Sequence, residues 1–110
     1  MNYSVEIDGS RIKDFDSFHD EFQAKIGFFE GYGRNLNAWV DCMTDMFTEG
    51  EYESLTKFNL VEGDTFVLIV ANSEQWSQQA PEVFEEFVSC CDDCNREKTH
   101  FRVQYLGQEI

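Results

Sequence analysis

Six consecutive apolar residues, Phe66-Val67-Leu68-Ile69-Val70-Ala71, constrain this chain more than any other feature. A run of that kind does not alternate, so it reads as a strand buried on both faces. It falls far short of the ~18 apolar residues of a membrane-crossing helix, and no other run approaches that length. A buried strand needs neighbours, and the sequence offers two. Tyr3 to Ile7 alternates and is β-prone, with Asp8-Gly9 turning the chain after it. Phe101-Arg102-Val103-Gln104-Tyr105 alternates as a last strand.

Helical patterns fill the intervals. Phe15, Phe18, Phe22 and Ile26 lie on one helical face, with Asp14 or Asp16 able to cap the start and Gly27 at the C′ position. Gly31-Tyr32-Gly33 is a loop. A second helix is expected over residues 35–47. Its apolar face is Leu36, Val40, Met43 and Phe47, widened on one side by Trp39 and Met46. Arg34, Asn37, Asp41 and Asp45 form the opposite stripe. Residues 48–64 are polar and irregular, with room for one short helix around Glu51 to Phe58. Pro81 suits the first turn of another helix, where Glu82, Glu85 and Glu86 favour the dipole. Arg96 and Lys98 suit its end, and Val83, Phe84, Phe87, Val88 and Cys91 form its core face. The order is therefore β-α-α-(α)-β-α-β. Long helical crossovers imply parallel pairing and right-handed connections. The expected fold is α/β, a three-stranded parallel sheet packed with three to four helices. With 110 residues it forms a single domain over positions 1–110.

Charge narrows the function. Asp and Glu number 22 against 8 Lys and Arg, a net charge of -14. Between positions 35 and 95 there are 13 acids and one base, Lys57. Such a chain is not a nucleic-acid or anionic-membrane binder, because phosphate contacts need clustered Lys and Arg. It is either a solvated acidic surface or a surface built to meet a basic partner, whose association complementary fields accelerate.

Catalytic motifs are missing. No Gly-x-Gly-x-x-Gly follows a strand, and there is no phosphate-binding Walker loop or Gly-x-Ser-x-Gly elbow. Asp14-x-Asp16 lacks the glycine that a calcium loop needs at its sixth place. His19 lies beside the apolar face of the first helix and reads as a half-buried structural histidine. His100 opens the last strand with no nucleophile partner in view. Cys42, Cys90, Cys91 and Cys94 make no disulfide framework and read as reduced thiols. Cys90 and Cys94 share a helical face, but no second ligand pair follows, so neither a metal nor a cofactor is expected. Asp41 and Asp45 read as surface charge before acid–base partners, so the chain is not expected to be an enzyme. The N-terminus shows no basic region followed by an apolar one, and a cytoplasmic protein is expected.

One feature of the second helix stands out. Asn37, Asp41 and Asp45 share a stripe, although like charges one turn apart cost roughly a few tenths of a kcal/mol. A rigid helix presenting carboxylates can imitate phosphates and fit a cleft of preorganised Arg and Lys. The residues alone thus reach an acidic interaction module aimed at a basic partner.

The segment Gly31-Tyr32-Gly33-Arg34-Asn35-Leu36-Asn37-Ala38-Trp39-Val40-Asp41-Cys42-Met43-Thr44 resembles the signature of the barstar family of bacterial ribonuclease inhibitors. That signature runs Tyr-Gly-x-Asn-Leu-[Asp/Asn]-Ala and later Asp-Cys-Leu-Thr. Ile7-Asp8-Gly9 with Ile12, and Ser17-Phe18-His19, are similar to the family's first strand and first helix. The likeness is good from residue 3 to about 46, weak from 48 to 80, where this chain is longer, and a matter of pattern beyond. It implies a barstar-like fold and an immunity protein of toxin–antitoxin type that blocks the active site of a basic ribonuclease or related nuclease toxin. By the resemblance, Asp41 is the phosphate mimic, Gly33 and Asn35 are backbone and polar contacts, and Thr44 is a rim contact. Tyr32, Asn37 and Asp45 complete the expected partner-binding set.

The departures are specific. Asn37 stands where the family has an acid, and Gly31, Val40 and Met46 stand where it has aromatics. Asp45 replaces a glycine, and Ser89 is nearest to a helix-four glutamate. The lost aromatics remove hot-spot anchors and point to a nuclease whose cleft differs from that of barnase. The alternative is an acidic interaction module that keeps the scaffold without inhibiting.

Overall fold

A computed structural model describes residues 1–97 and 101–106. Lys98 and His100, expected at the end of the last helix and the start of the last strand, lie outside the described residues. Three strands, β1 (Asn2–Asp8), β2 (Thr65–Ala71) and β3 (Phe101–Tyr105), form one sheet in the order β1-β2-β3. Both pairings are parallel, with Asn2 opposite Thr65 and Phe66 opposite Phe101. The apolar run is the central strand, as a strand without a polar break must be. The expected α/β fold with three parallel strands is present. Among the described residues, four α-helices accompany it: α1 (Phe15–Ile26), α2 (Leu36–Thr44), α3 (Ser73–Gln79) and α4 (Pro81–Glu97).

The register puts Tyr3, Phe66 and Phe101 in one row, then Val5, Leu68 and Val103, then Ile7, Val70 and Tyr105. That face joins the buried side chains of the helices in a single core. The other face carries Ser4, Val67 and Arg102, then Glu6, Ile69 and Gln104. Here the expectation of two buried faces is corrected. Phe66, Leu68 and Val70 are fully buried, whereas Val67 and Ile69 are only half-buried and their polar row-mates are exposed. The flanking strands alternate, and a parallel sheet with wet residues on both flanks cannot be covered on that side.

Helix α1 begins at Asp14, whose carboxylate accepts from the Ser17 amide at 2.8 Å, while the Ser17 hydroxyl accepts from the Asp14 amide at 3.0 Å. It ends at Gly27, whose φ of 75° is the left-handed geometry that glycine adopts without cost. Its buried Glu21 carboxylate ties it to the sheet, accepting from the Asp8 amide at 2.9 Å and lying 3.5 Å from Arg11. Gly9, just beyond β1, has no room for a side chain: a Cβ would stand 2.9 Å from the Ala71 carbonyl oxygen.

Two further expectations change. Residues 51–58 form no helix; the segment is held by side-chain hydrogen bonds around Ser54 and Thr56. The additional helix is α3, after β2. Its only large apolar residue, Trp76, is fully buried against Phe87 and Phe84. Gln79 bonds α3 back to the β1–α1 turn through the Ser10 and Ile12 carbonyls at 3.0 and 2.9 Å.

Candidate protein-binding site

Helix α2 is fixed from behind by aromatic packing. Trp39 is fully buried and meets Phe22 of α1 at 5.4 Å and Phe87 of α4 at 5.8 Å between ring centroids. Cys42, Met43 and Met46 continue that buried row, while Leu36, Val40 and Phe47 are only half-buried. The face is therefore rotated from the expected one and centred on Trp39, because the largest ring takes the deepest position. The helix is also shorter than expected, ending at Thr44, where Asp45 caps it. The Thr44 hydroxyl bonds back to the Val40 carbonyl at 2.9 Å.

The outward face starts at Asn35. Its side-chain oxygen caps α2 by accepting from the Ala38 amide at 2.8 Å. Asn37 and Asp41 follow it, both exposed. The Asp41 carboxylate makes no hydrogen bond or ion pair with any described residue. Asp45 differs. One carboxylate oxygen accepts from the Leu55 amide at 3.1 Å, and the other lies 3.5 Å from the Tyr52 hydroxyl. Asp45 thus anchors the 52–55 segment against the end of α2 as well as carrying charge at the surface.

The approach to α2 runs through residues 28–35, which are held at several points. The Phe29 amide donates to Leu55 at 2.9 Å and the Tyr32 amide to Phe29 at 3.0 Å. A Cβ on Gly31 would run into the Phe29 ring, which is exposed at the surface and would have to swing aside. A Cβ on Gly33 would stand 3.0 Å from the side-chain Nδ2 of Asn35. Gly33 and Asn35 are exposed. Tyr32 is not. It is 5% exposed, packs on Phe28 at 4.5 Å, and its hydroxyl lies 2.5 Å from Nδ1 of His19. Its side chain supports the loop from inside.

His19, expected to be half-buried, is only 3% exposed. Burial, aided by the nearby Arg34 charge, pushes its pKa down against the opposing pull of Asp16 and Asp20. Burial likewise pushes the Tyr32 phenol well above its ordinary value. Cys42, on the inner side of α2, is pushed up to about 11, chiefly by burial and secondarily by Asp41 and Asp45. Cys90 is also pushed up to about 11 by burial first. These thiols stay protonated near neutrality and offer no nucleophile.

Arg34 lies outside the α2 stripe to which its spacing assigned it. It precedes the cap residue with φ 53°, in the left-handed region, and turns back onto α1. Its guanidinium donates to the Asp16 carbonyl and the Asp20 carboxylate, each at 3.0 Å, and to the Gln23 side chain. A hollow of about 480 Å³ opens beside it, lined by Phe15, His19, Arg34, Asn35, Leu36 and Asn37. Sequence reasoning missed both this clamp and the Leu55–Asp45 bond. The first could have been suspected from a lone Arg downstream of two helix acids; the second joins positions ten apart across irregular chain and leaves no local signal.

The family model described as barstar (barnase inhibitor) matches residues 2–106. The chain belongs to the barstar family. The three-stranded parallel sheet with its helices on one face is the barstar-like fold that the signature implied. A Bacillus subtilis (strain 168) protein named "Putative ribonuclease inhibitor YrdF" is 40% identical over 40 residues. That stretch covers 36% of this chain and 44% of the relative, so the match spans less than half of either protein. In this member of the barstar family, the signature segment is the stretch just described: a buried tyrosine, an asparagine cap and a short helix with one uncommitted acid at its centre. Among the described residues, no helix is long and apolar enough to cross a membrane.

Proposed function

We propose that this chain inhibits a basic ribonuclease, or a related nuclease toxin, by seating residues 31–35 and α2 in the enzyme's active-site cleft. The observation that carries the reading is the Asp41 carboxylate, exposed at the middle of α2 and without a hydrogen bond or ion pair to any described residue. A carboxylate on a rigid helix reaches preorganised Arg and Lys without first giving up internal bonds, as a substrate phosphate does. Membership of the barstar family and the lopsided charge support the same role. Gly33 and Asn35 contribute backbone and polar contacts, Asn37 lies beside Asp41, and Thr44 meets the rim. Asp45 adds field while holding the flanking loop, and Tyr32 shapes the segment from below. The activity is inhibition, not catalysis, and it calls for no cofactor.

The test is capture from the source cells at low salt, wild type against Asp41→Ala. Captured protein is assayed for ribonuclease activity before and after release. Wild type is expected to retain a small basic ribonuclease that is silent while bound. Asp41→Ala is expected to lose about 2–5 kcal/mol of binding, the usual cost of truncating one side of a buried charge pair. Association should weaken steeply with salt, since exposed charges are screened within ~8 Å at 0.15 M. Equal recovery by both proteins, or a bound enzyme that still cleaves RNA, would move the assignment to a non-inhibitory interaction module.

A further inference from the structure

The geometry points to Arg34 as a positioning residue that latches the presented segment to α1 and presets the start of α2 for its partner. The partner role rests on the inhibitor reading above; the latch itself does not. Arg34 pays for its place with backbone strain. A non-glycine residue at φ 53° sits in a sparsely populated region and persists only where its surroundings over-determine it. Here the determinants are visible. The guanidinium reaches three acceptors on α1, spaced over two turns: the Asp16 carbonyl, Asp20 and Gln23. The Asp16 carboxylate adds a fourth contact at 3.7 Å. The planar fork of Arg suits several acceptors at once, which a lysine could not match.

The next residue, Asn35, caps α2, and its own oxygen is already committed to Ala38. Clamping Arg34 therefore clamps the cap one peptide away. It also settles a charge problem. In the sequence Arg34 is the one cation between the end of α1 and Asp41, and left free it would repel a basic partner. Instead two α1 carboxylates flank it, Asp20 at 3.0 Å and Asp16 at 3.7 Å.

Amide hydrogen exchange on the free protein decides whether the latch exists. Two variants are informative. Arg34→Gln removes the charge, and Arg34→Gly removes the side chain while relieving the φ strain. In both, exchange at Tyr32, Ala38 and Trp39 is expected to rise roughly three- to tenfold, the span of about one net hydrogen bond, with β2 amides unmoved. Asp20→Asn should reproduce part of that rise, and should add nothing in an Arg34→Gln background. Unchanged exchange in Arg34→Gly, or additive effects of Arg34 and Asp20, would overturn the latch.

The ribonuclease retained by wild type in the capture experiment is the probe for the partner role. Arg34→Gly is expected to weaken its binding about twofold or more, the loss that follows once half of the free molecules hold the loop open, because only the ordered fraction binds. Unchanged binding beside raised exchange overturns positioning. Raised exchange with no ribonuclease captured leaves the latch standing and removes the inhibitor reading, so the two failures are distinguishable.

Discussion

Helix α2 has two sides that are held by different physics. Behind it, Trp39 meets Phe22 and Phe87 in a dry aromatic cluster. Beyond its C-terminal end, the 52–59 segment is held by polar bonds: Asp45 to the Leu55 amide, and Ser54 and Thr56 to neighbouring backbone. The first kind of support is non-directional and scales with buried area; the second depends on each donor meeting its acceptor. A helix backed by packing and braced by hydrogen bonds can keep its outer face free of internal commitments, and Asp41 is the result.

The contrast can be broken from the packed side first. Trp39→Ala should cost about 3–5 kcal/mol of stability, because it empties a fully buried ring site; a chemical-denaturation curve measures it, and a loss below ~1 kcal/mol would mean the helices close over the gap. On the braced side, Asp45→Ala leaves the Leu55 amide without its acceptor and should cost about 1–3 kcal/mol. Local exchange at Leu55 should rise with it, while exchange at Trp39 stays put.

A smaller effect separates the buried His19–Tyr32 pair from both. The His19 pKa is held below the ordinary ~6.5, so the unfolded chain takes a proton that the folded one refuses. Stability should therefore fall as pH drops below about 6.5, an effect read between there and about pH 5, above the range where most carboxylates titrate. His19→Gln should flatten that slope in denaturant midpoints measured across the window. The smallest effect belongs to the outer face. Asp41→Asn should shift stability by less than about 0.5 kcal/mol, as surface substitutions without partners do. A larger loss would show that Asp41 has an internal job after all.

The two sides also differ in how far they could be read beforehand. The packed side was legible because its residues repeat at helical spacing: Phe18, Phe22 and Ile26 on α1, and Val83, Phe87 and Cys91 on α4, all lie in the core. Gly27 was legible as a helix stop because its left-handed φ is a single-residue property. The rotation of α2 was not, since periodicity gives a face and ring size decides its centre. The braced side left little trace, and one element outside it left none. Seven residues with one apolar ring, Ser73-Glu74-Gln75-Trp76-Ser77-Gln78-Gln79, carry no period, so α3 went unseen. Within the candidate site, the exposure of Asn35, Asn37 and Asp41 follows from their helical spacing, while the burial of Tyr32 and the turn of Arg34 onto α1 depend on tertiary contacts 11 to 18 residues away. The open face of the sheet was written in the alternation of β1 and β3, which outweighed the unbroken run between them.

The parallel register joins Asn2 to Thr65 and Asp8 to Ala71. A chain made from its N-terminus therefore carries β1 without any strand partner until β2 has been synthesised. Helix α1, the clamped loop and α2 lie inside the chain loop that this pairing closes, whereas Phe87 of α4, which backs Trp39, lies beyond it. Closing a loop of that length costs entropy that grows with the logarithm of its size, and non-local pairings of this kind slow folding. The first helices can associate through neighbouring contacts, yet they gain their sheet only once β2 has been made, and the α4 side of their backing later still.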